Sequence, residues 1–192
     1  MITPRRVTAV ILLVLTITGV VLWAQVLGTY IAINDARLHV PDRVGILEVR
    51  VPRLPTDNGT ATVGVLVRVE NPSSIAIRVF SITYWLYMDN LVDTRAFWEK
   101  ADDIEVGRGG FHDELGGYVV PPHSVRDLWA NLTVEQDRDP VAWERLNLSF
   151  GGRYYPIVLG GTLQYRFPGL KILGQVRGLS FTTFQGVVPY EG

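Results

Sequence analysis

One unbroken apolar run constrains this chain more than any other feature. From Val7 to Ile33 it reads VTAVILLVLTITGVVLWAQVLGTYIAI, with no charge and with Gln25 as its only strongly polar side chain. A helix needs roughly 20 apolar residues to cross a ~30 Å hydrocarbon core. Lipid tolerates only elements whose backbone hydrogen bonds close on themselves. The run therefore predicts a transmembrane helix over 7–33, with length to spare for tilt. Arg5 and Arg6 precede it, and Asn34 and Asp35 follow. The positive-inside bias then places residues 1–6 in the cytoplasm and everything after Ile33 outside the cell membrane, in a single pass. Trp23 and Tyr30 suit the outer interface, where amphipathic rings collect. The competing reading is a cleaved signal peptide, with Thr3–Arg6 as the charged start and Val7–Trp23 as its apolar region. Such regions run about 7–15 residues and end at a small-x-small site. Here the run continues past Ala24 without an A-x-A pattern, which favours an uncleaved signal anchor. Both readings export the rest.

The remainder, 34–192, has the size of one domain. Of the 18 basic residues two precede the anchor, leaving 16 against 19 acidic ones. That balance argues against nucleic acid, which wants a concentrated basic surface, and against a polybasic lipid-headgroup binder. There is no cysteine. The exported part must hold itself by its core alone, and thiolate metal sites, iron–sulfur clusters and cysteine nucleophiles are excluded.

Alternation of apolar and polar residues recurs along this part. Val44, Ile46, Val49 and Val51 give an imperfect strand, followed by a turn at TDNG, Thr56–Gly59. In ATVGVLVRVEN (Ala61–Asn71) Val63, Val65, Val67 and Val69 share one face, the period of a half-buried strand. Asn71–Pro72–Ser73–Ser74 breaks it. Ile75, Ile77 and Val79 continue on one face, then the inward set becomes Ile82, Tyr84, Leu86 and Met88; the slip at Phe80–Ser81 predicts a bulge. The stretch 94–117 reads as a long, charged, glycine-rich connection with one short strand, and Gly107–Gly110 as a flexible loop. Leu128, Ala130, Leu132 and Val134 face inward on another strand. Asp139–Pro140 starts a short helix over 141–146. Gly160–Gly161 marks a bulge or close approach, and Leu179–Val188 is a last strand. Seven to nine strands with at most one short helix predict an all-β antiparallel sandwich after the helix.

The segment VRVENPSSIAIRVFSITYWLYMDN resembles the water-stress/hypersensitive-response domain, the type 2 late-embryogenesis-abundant family. The matching residues include Asn71, Pro72, Tyr84, Leu86 and Met88; LGGTLQY, with Gly161 and Tyr165, is similar to the family's Gly-x-Leu-x-Tyr strand. The resemblance covers about 44–188. It implies an immunoglobulin- or fibronectin-III-like sandwich, no catalytic residues and no cofactor, and a link to desiccation and stress responses. Membrane-anchored members have been proposed to handle lipid.

Local chemistry is sparse. Asn58, Asn131 and Asn147 begin N-x-S/T sequons and are glycosylation candidates. His39, His112 and His123 are scattered without metal-ligand spacing. The acidic groups Asp89/Asp93, Asp102/Asp103/Glu105 and Asp137/Asp139 match no calcium loop and read as solvated turns. Gly107-Arg-Gly-Gly110 has no phosphate-loop lysine. Trp85, Trp98 and Trp129 fall on outward positions, as an interaction surface requires; large rings more often fill a core. The sequence thus predicts a non-enzymatic, membrane-anchored protein. Its partners would be the bilayer and an envelope or protein ligand, with room for a homo-oligomer. The alternative is an apolar-ligand or lipid carrier, which needs a cavity between the sheets.

Overall fold

The apolar run becomes α1 (Pro4–His39) in the computed structural model, which describes residues 4–51, 59–90, 92–113, 115–148, 154–168 and 180–187. Every residue from Val7 to Gly28 is exposed. At 1.5 Å per residue this bare stretch is about 33 Å long, close to the ~30 Å hydrocarbon thickness. It is a candidate single membrane span. The helix does not end at Ile33 as expected. Asn34 and Asp35 lie within it, half-buried, while Ala32, Ile33, Ala36 and the following Val40 are buried. Their three- and four-residue spacing puts them on one helix face. What stops the helix is Pro41, which has no N–H to continue the ladder and opens a single 3₁₀ turn, Pro41–Arg43. The helix thus runs on past Ile33 to His39, and its last turns pack into the core.

The strands are β1 (Val44–Arg50), β2 (Thr60–Asn71), β3 (Ile77–Asn90), β4 (Glu105–His112), β5 (Tyr118–Val120), β6 (Ser124–Glu135), β7 (Tyr154–Arg166) and β8 (Ser180–Val187). All pair antiparallel in the order β1-β2-β6-β4-β3-β7-β8, with β5 on β3. The end strands β1 and β8 return to each other without pairing, so the sheet is a near-barrel. Its wall is uneven. β2 pairs with β6 from Thr60–Glu135 to Asn71–Ser124, whereas β4 meets β6 only at Gly110–Asn131.

The alternation places the core. Val63, Val65, Val67 and Val69 are fully buried, as are Ile77, Val79, Tyr84 and Leu86. The slip lies where the pattern puts it: the β3–β7 register shifts between Val79 and Ser81. A second shift, between Leu159 and Gly161 in β7–β8, falls at the glycine pair. The helix expected after Asp139 is α3 (Pro140–Leu148), with Trp143 and Leu146 buried.

The stretch 94–117 differs from its reading as a loose connection. It forms α2 (Phe97–Ile104) and then β4 without a break, so two short α-helices, not one, are present among the described residues. Gly107–Gly110 is strand, not flexible loop. A Cβ on Gly109 would lie 2.4 Å from the Tyr84 ring, and one on Gly110, at φ 146°, would lie 2.0 Å from the Ile82 carbonyl oxygen. The glycines are there so that β4 can press against β3 and over Tyr84; their density imitated a loop.

Candidate functional site

The end of the near-barrel that receives α1 is built from β2, β3, β5, β6 and β7 termini. Ile33, Ala36 and Val40 join the same hydrophobic cluster as Val69, Val79 and Tyr165. The Tyr165 hydroxyl donates to the Ala36 carbonyl at 3.2 Å, and the ring meets Phe167 edge-on at 5.8 Å. Burial pushes the Tyr165 phenol up to about 12, opposed weakly by Arg37. Next to this junction Asn71, fully buried, ties two turns together. Its amide donates to the carbonyls of Ile75 (2.8 Å), Val120 (3.1 Å) and Pro121 (3.0 Å), and its oxygen accepts from Ser73 Oγ at 2.6 Å. At this end the turn carbonyls of Ile75, Val120 and Pro121 are thus satisfied by side chains.

The opposite end carries α2 and α3. Lys100 Nζ lies 2.6 Å from Asp89 Oδ1, with both side chains buried, and donates to the Asp93 carbonyl at 3.0 Å. Tyr155 donates to Asp89 Oδ2 at 3.3 Å, and burial with the Asp89 charge raises its phenol. This pins α2 to the end of β3. Asp93 is held down at about 2 by the Arg95 side chain and backbone N–H. A cleft of about 410 Å³ opens between α3 and β4, lined by Glu105, Val106, Arg138, Pro140, Val141 and Arg145 among others. Arg145 donates to the Glu105 carbonyl and Arg138 lies 3.4 Å from Glu135. Both charge signs line the cleft, and its arginines are already engaged, so it gathers no acid–base pair or anion cradle.

The predicted site residues separate. Trp85 is outward on β3, half-buried, with the Arg108 guanidinium 4.9 Å from its ring centroid. Trp129 is outward on β6, 4.6 Å from Arg50. Trp98 stands on α2 with 81% of its surface exposed. The three sit on different elements and do not fill the core; Trp143 does. Asn131 is exposed on β6 and Asn147 exposed on α3, while Asn58 lies outside the described residues. Asn71, Tyr84, Gly161 and Tyr165 are all buried, and Pro72 is half-buried in the turn after β2. Tyr84 reaches across the interior to donate to the Ala130 carbonyl at 3.3 Å, and burial raises its phenol strongly.

His39 bonds back to Asp35, His112 meets the Phe80 ring edge-on, and His123 occupies a turn at φ 50°. Among the described residues no group of three acidic or histidine side chains converges on a metal position. Sequence reasoning missed the Lys100–Asp89–Tyr155 cluster. Its signal was present: one of only two lysines in the chain, four residues into a segment dense in acids.

No protein-family model and no curated protein matches this chain. It is similar to a solved structure described as a protein from Archaeoglobus fulgidus, with 14% identity over 77% of this chain and 100% of that one, and a TM-score of 0.41.

Proposed function

We propose that the chain is a single-pass membrane protein, N-terminus inside, whose exported β-domain is a rigidly mounted, non-catalytic docking or envelope module. The observation that carries this is the continuity of α1: a bare apolar stretch of about 33 Å runs straight into turns that belong to the domain core. A tether on a flexible linker would leave the domain free to turn; here Ile33, Ala36 and Val40 fix its orientation to the membrane normal. α2, α3 and Trp98 then face away from the bilayer, at the end open to partners. The two wall blocks, joined only at Gly110–Asn131, are read as the two layers of an immunoglobulin-like sandwich, as the resemblance to the water-stress domain implies. Asn71, Tyr84, Gly161 and Tyr165, the residues of that resemblance, are buried structural contacts and carry no catalytic duty in this reading. Stress protection stays attached to that kinship. The apolar-ligand alternative draws no support from the described interior, where Tyr84, Leu86, Met88, Leu163 and Tyr165 pack the space.

The test uses the absence of native cysteine. Single cysteines replace Leu22, Val92 and, separately, Trp98 in the full chain in cell membranes. Val92→Cys should react with a membrane-impermeant maleimide from outside, and Leu22→Cys should not. A photo-crosslinker at position 98 should capture a discrete envelope component. Labelling of Val92→Cys only after permeabilisation, or extraction of the chain by alkaline carbonate, would refute the topology. A lack of any adduct from position 98 would refute docking.

A further inference from the structure

We infer that Asn131 is the acceptor of an N-linked oligosaccharide, an inference that rests on the β-domain being exported. Three observations single it out from the other sequons. First, Asn131 and Thr133 are both exposed on the outer face of β6. In a strand residues i and i+2 share a face, so both residues that the sequon requires are presented outward together. In a helix they point roughly 200° apart, which is the situation of Asn147, in the last turn of α3.

Second, the cross-strand neighbours of Asn131 are glycine on both sides: Gly64 of β2 and Gly110 of β4. Side chains directly opposite in a sheet sit about 5 Å away and would crowd a substituent; neither cross-strand neighbour here carries one. Third, Trp129, two residues earlier on the same face, lies across Gly64, where an added Cβ would come 3.0 Å from the ring. It remains 39% exposed. The amide thus projects beside two glycines, next to the Trp129 ring, which lies over Gly64 with the Arg50 guanidinium 4.6 Å from its centroid.

The transfer uses a lipid (di)phosphate-linked oligosaccharide as co-reactant. Asn131 Nδ2 attacks the sugar C1. The C1–O bond to phosphate breaks with its electron pair leaving on the lipid phosphate, and the amide loses one proton to base. The product is a neutral glycosylamide, so the local charge is unchanged.

The experiment is intact-mass and glycopeptide analysis of the full-length chain purified from membranes of its own host. The peptide containing Asn131 should carry a saccharide mass increment. Asn131→Gln and Thr133→Val should each abolish it, and Asn147→Gln should leave it in place. The outside labelling of Val92→Cys is measured in the same preparation. Unmodified Asn131 in a chain labelled from outside overturns this proposal and leaves the topology standing. Unmodified Asn131 in a chain not labelled from outside overturns both.

Discussion

The Tyr165 hydroxyl and the Ala36 carbonyl meet at 3.2 Å although they are 129 positions apart. This contact joins the last turns of a membrane-length helix to the end of a β-strand. It makes the end of α1 part of the folded domain rather than a leash. Tyr165→Phe should cost about 1 kcal/mol, the net worth of one hydrogen bond, because the Ala36 carbonyl keeps its helix bond from the Val40 N–H at 3.0 Å. For a domain of this size that is a drop of roughly 2–4 °C in melting temperature. Ala36→Leu, which forces a larger side chain into a fully buried position, should cost about 1–3 kcal/mol by overpacking. Thermal unfolding in detergent micelles measures both. An unchanged melting temperature for both variants would show that α1 merely touches the domain.

Alkaline pH should loosen the same junction. The folded domain holds Tyr165 at about 12 and Tyr84 higher still, both by burial, above the ordinary phenol value. A raised folded value favours the protonated form in the fold. This contribution is therefore full below about pH 10, the unfolded phenol value, and is lost as pH rises through the folded one. Melting temperature should be flat toward pH 10 and fall between pH 10 and 12, with a shallower fall in Tyr165→Phe. Ultraviolet titration of phenolate formation, followed beside unfolding, checks the assignment.

Asn71 should tolerate almost nothing. Asn71→Asp keeps the shape and removes the donor that satisfies three carbonyls, those of Ile75, Val120 and Pro121. The Ile75 and Pro121 carbonyls also accept from the Ser73 and Ser124 hydroxyls, so the bare-acceptor cost of about 1–3 kcal/mol falls on Val120, and the new carboxylate faces oxygens. Asn71→Asp should be at least as damaging as Asn71→Ala. Chemical denaturation compares them, and a milder effect for aspartate would count against the assigned hydrogen bonds.

The Lys100–Asp89 pair should behave as a buried clamp. Lys100→Met leaves Asp89 charged and unpaired, a loss of about 3–5 kcal/mol. Replacing both, as Lys100→Met with Asp89→Asn, should recover most of it. A double-mutant cycle on melting temperature, with limited proteolysis near α2, reads the coupling. Additive effects would refute it.

Gly109 and Tyr84 form the last testable pair. Gly109→Ala drives a methyl group to 2.4 Å from the tyrosine ring, which should cost about 1–3 kcal/mol. Combining it with Tyr84→Leu should cost less than the sum, because the smaller side chain vacates the space; denaturant midpoints decide.

Much of the fold was legible one strand at a time. The valines of β2, the slip at Phe80–Ser81 and the proline start of α3 all follow from local period and backbone chemistry, and each is where its residues put it. The stretch 94–117 was not legible, because glycine density there means close packing under Tyr84, a fact located on β3. The tryptophans show the same limit. Outward positions could be counted from the alternation, but whether Trp85 and Trp129 were covered depended on Arg108 and Arg50, which arrive from other strands.

By itself the sequence determined a membrane-length apolar helix, a cysteine-free β-rich remainder and the inward face of each strand. These depend on periods of two and 3.6 residues and on runs of transfer free energy, which neighbours in the chain suffice to define. Only the tertiary structure decided that the helix outlasts its apolar run to plug the domain, that the strands curl into a near-barrel, and that Asn131 stands between two glycines. Each of those rests on contacts between residues tens of positions or more apart, whose meeting is set by how the strands pair and not by any local pattern.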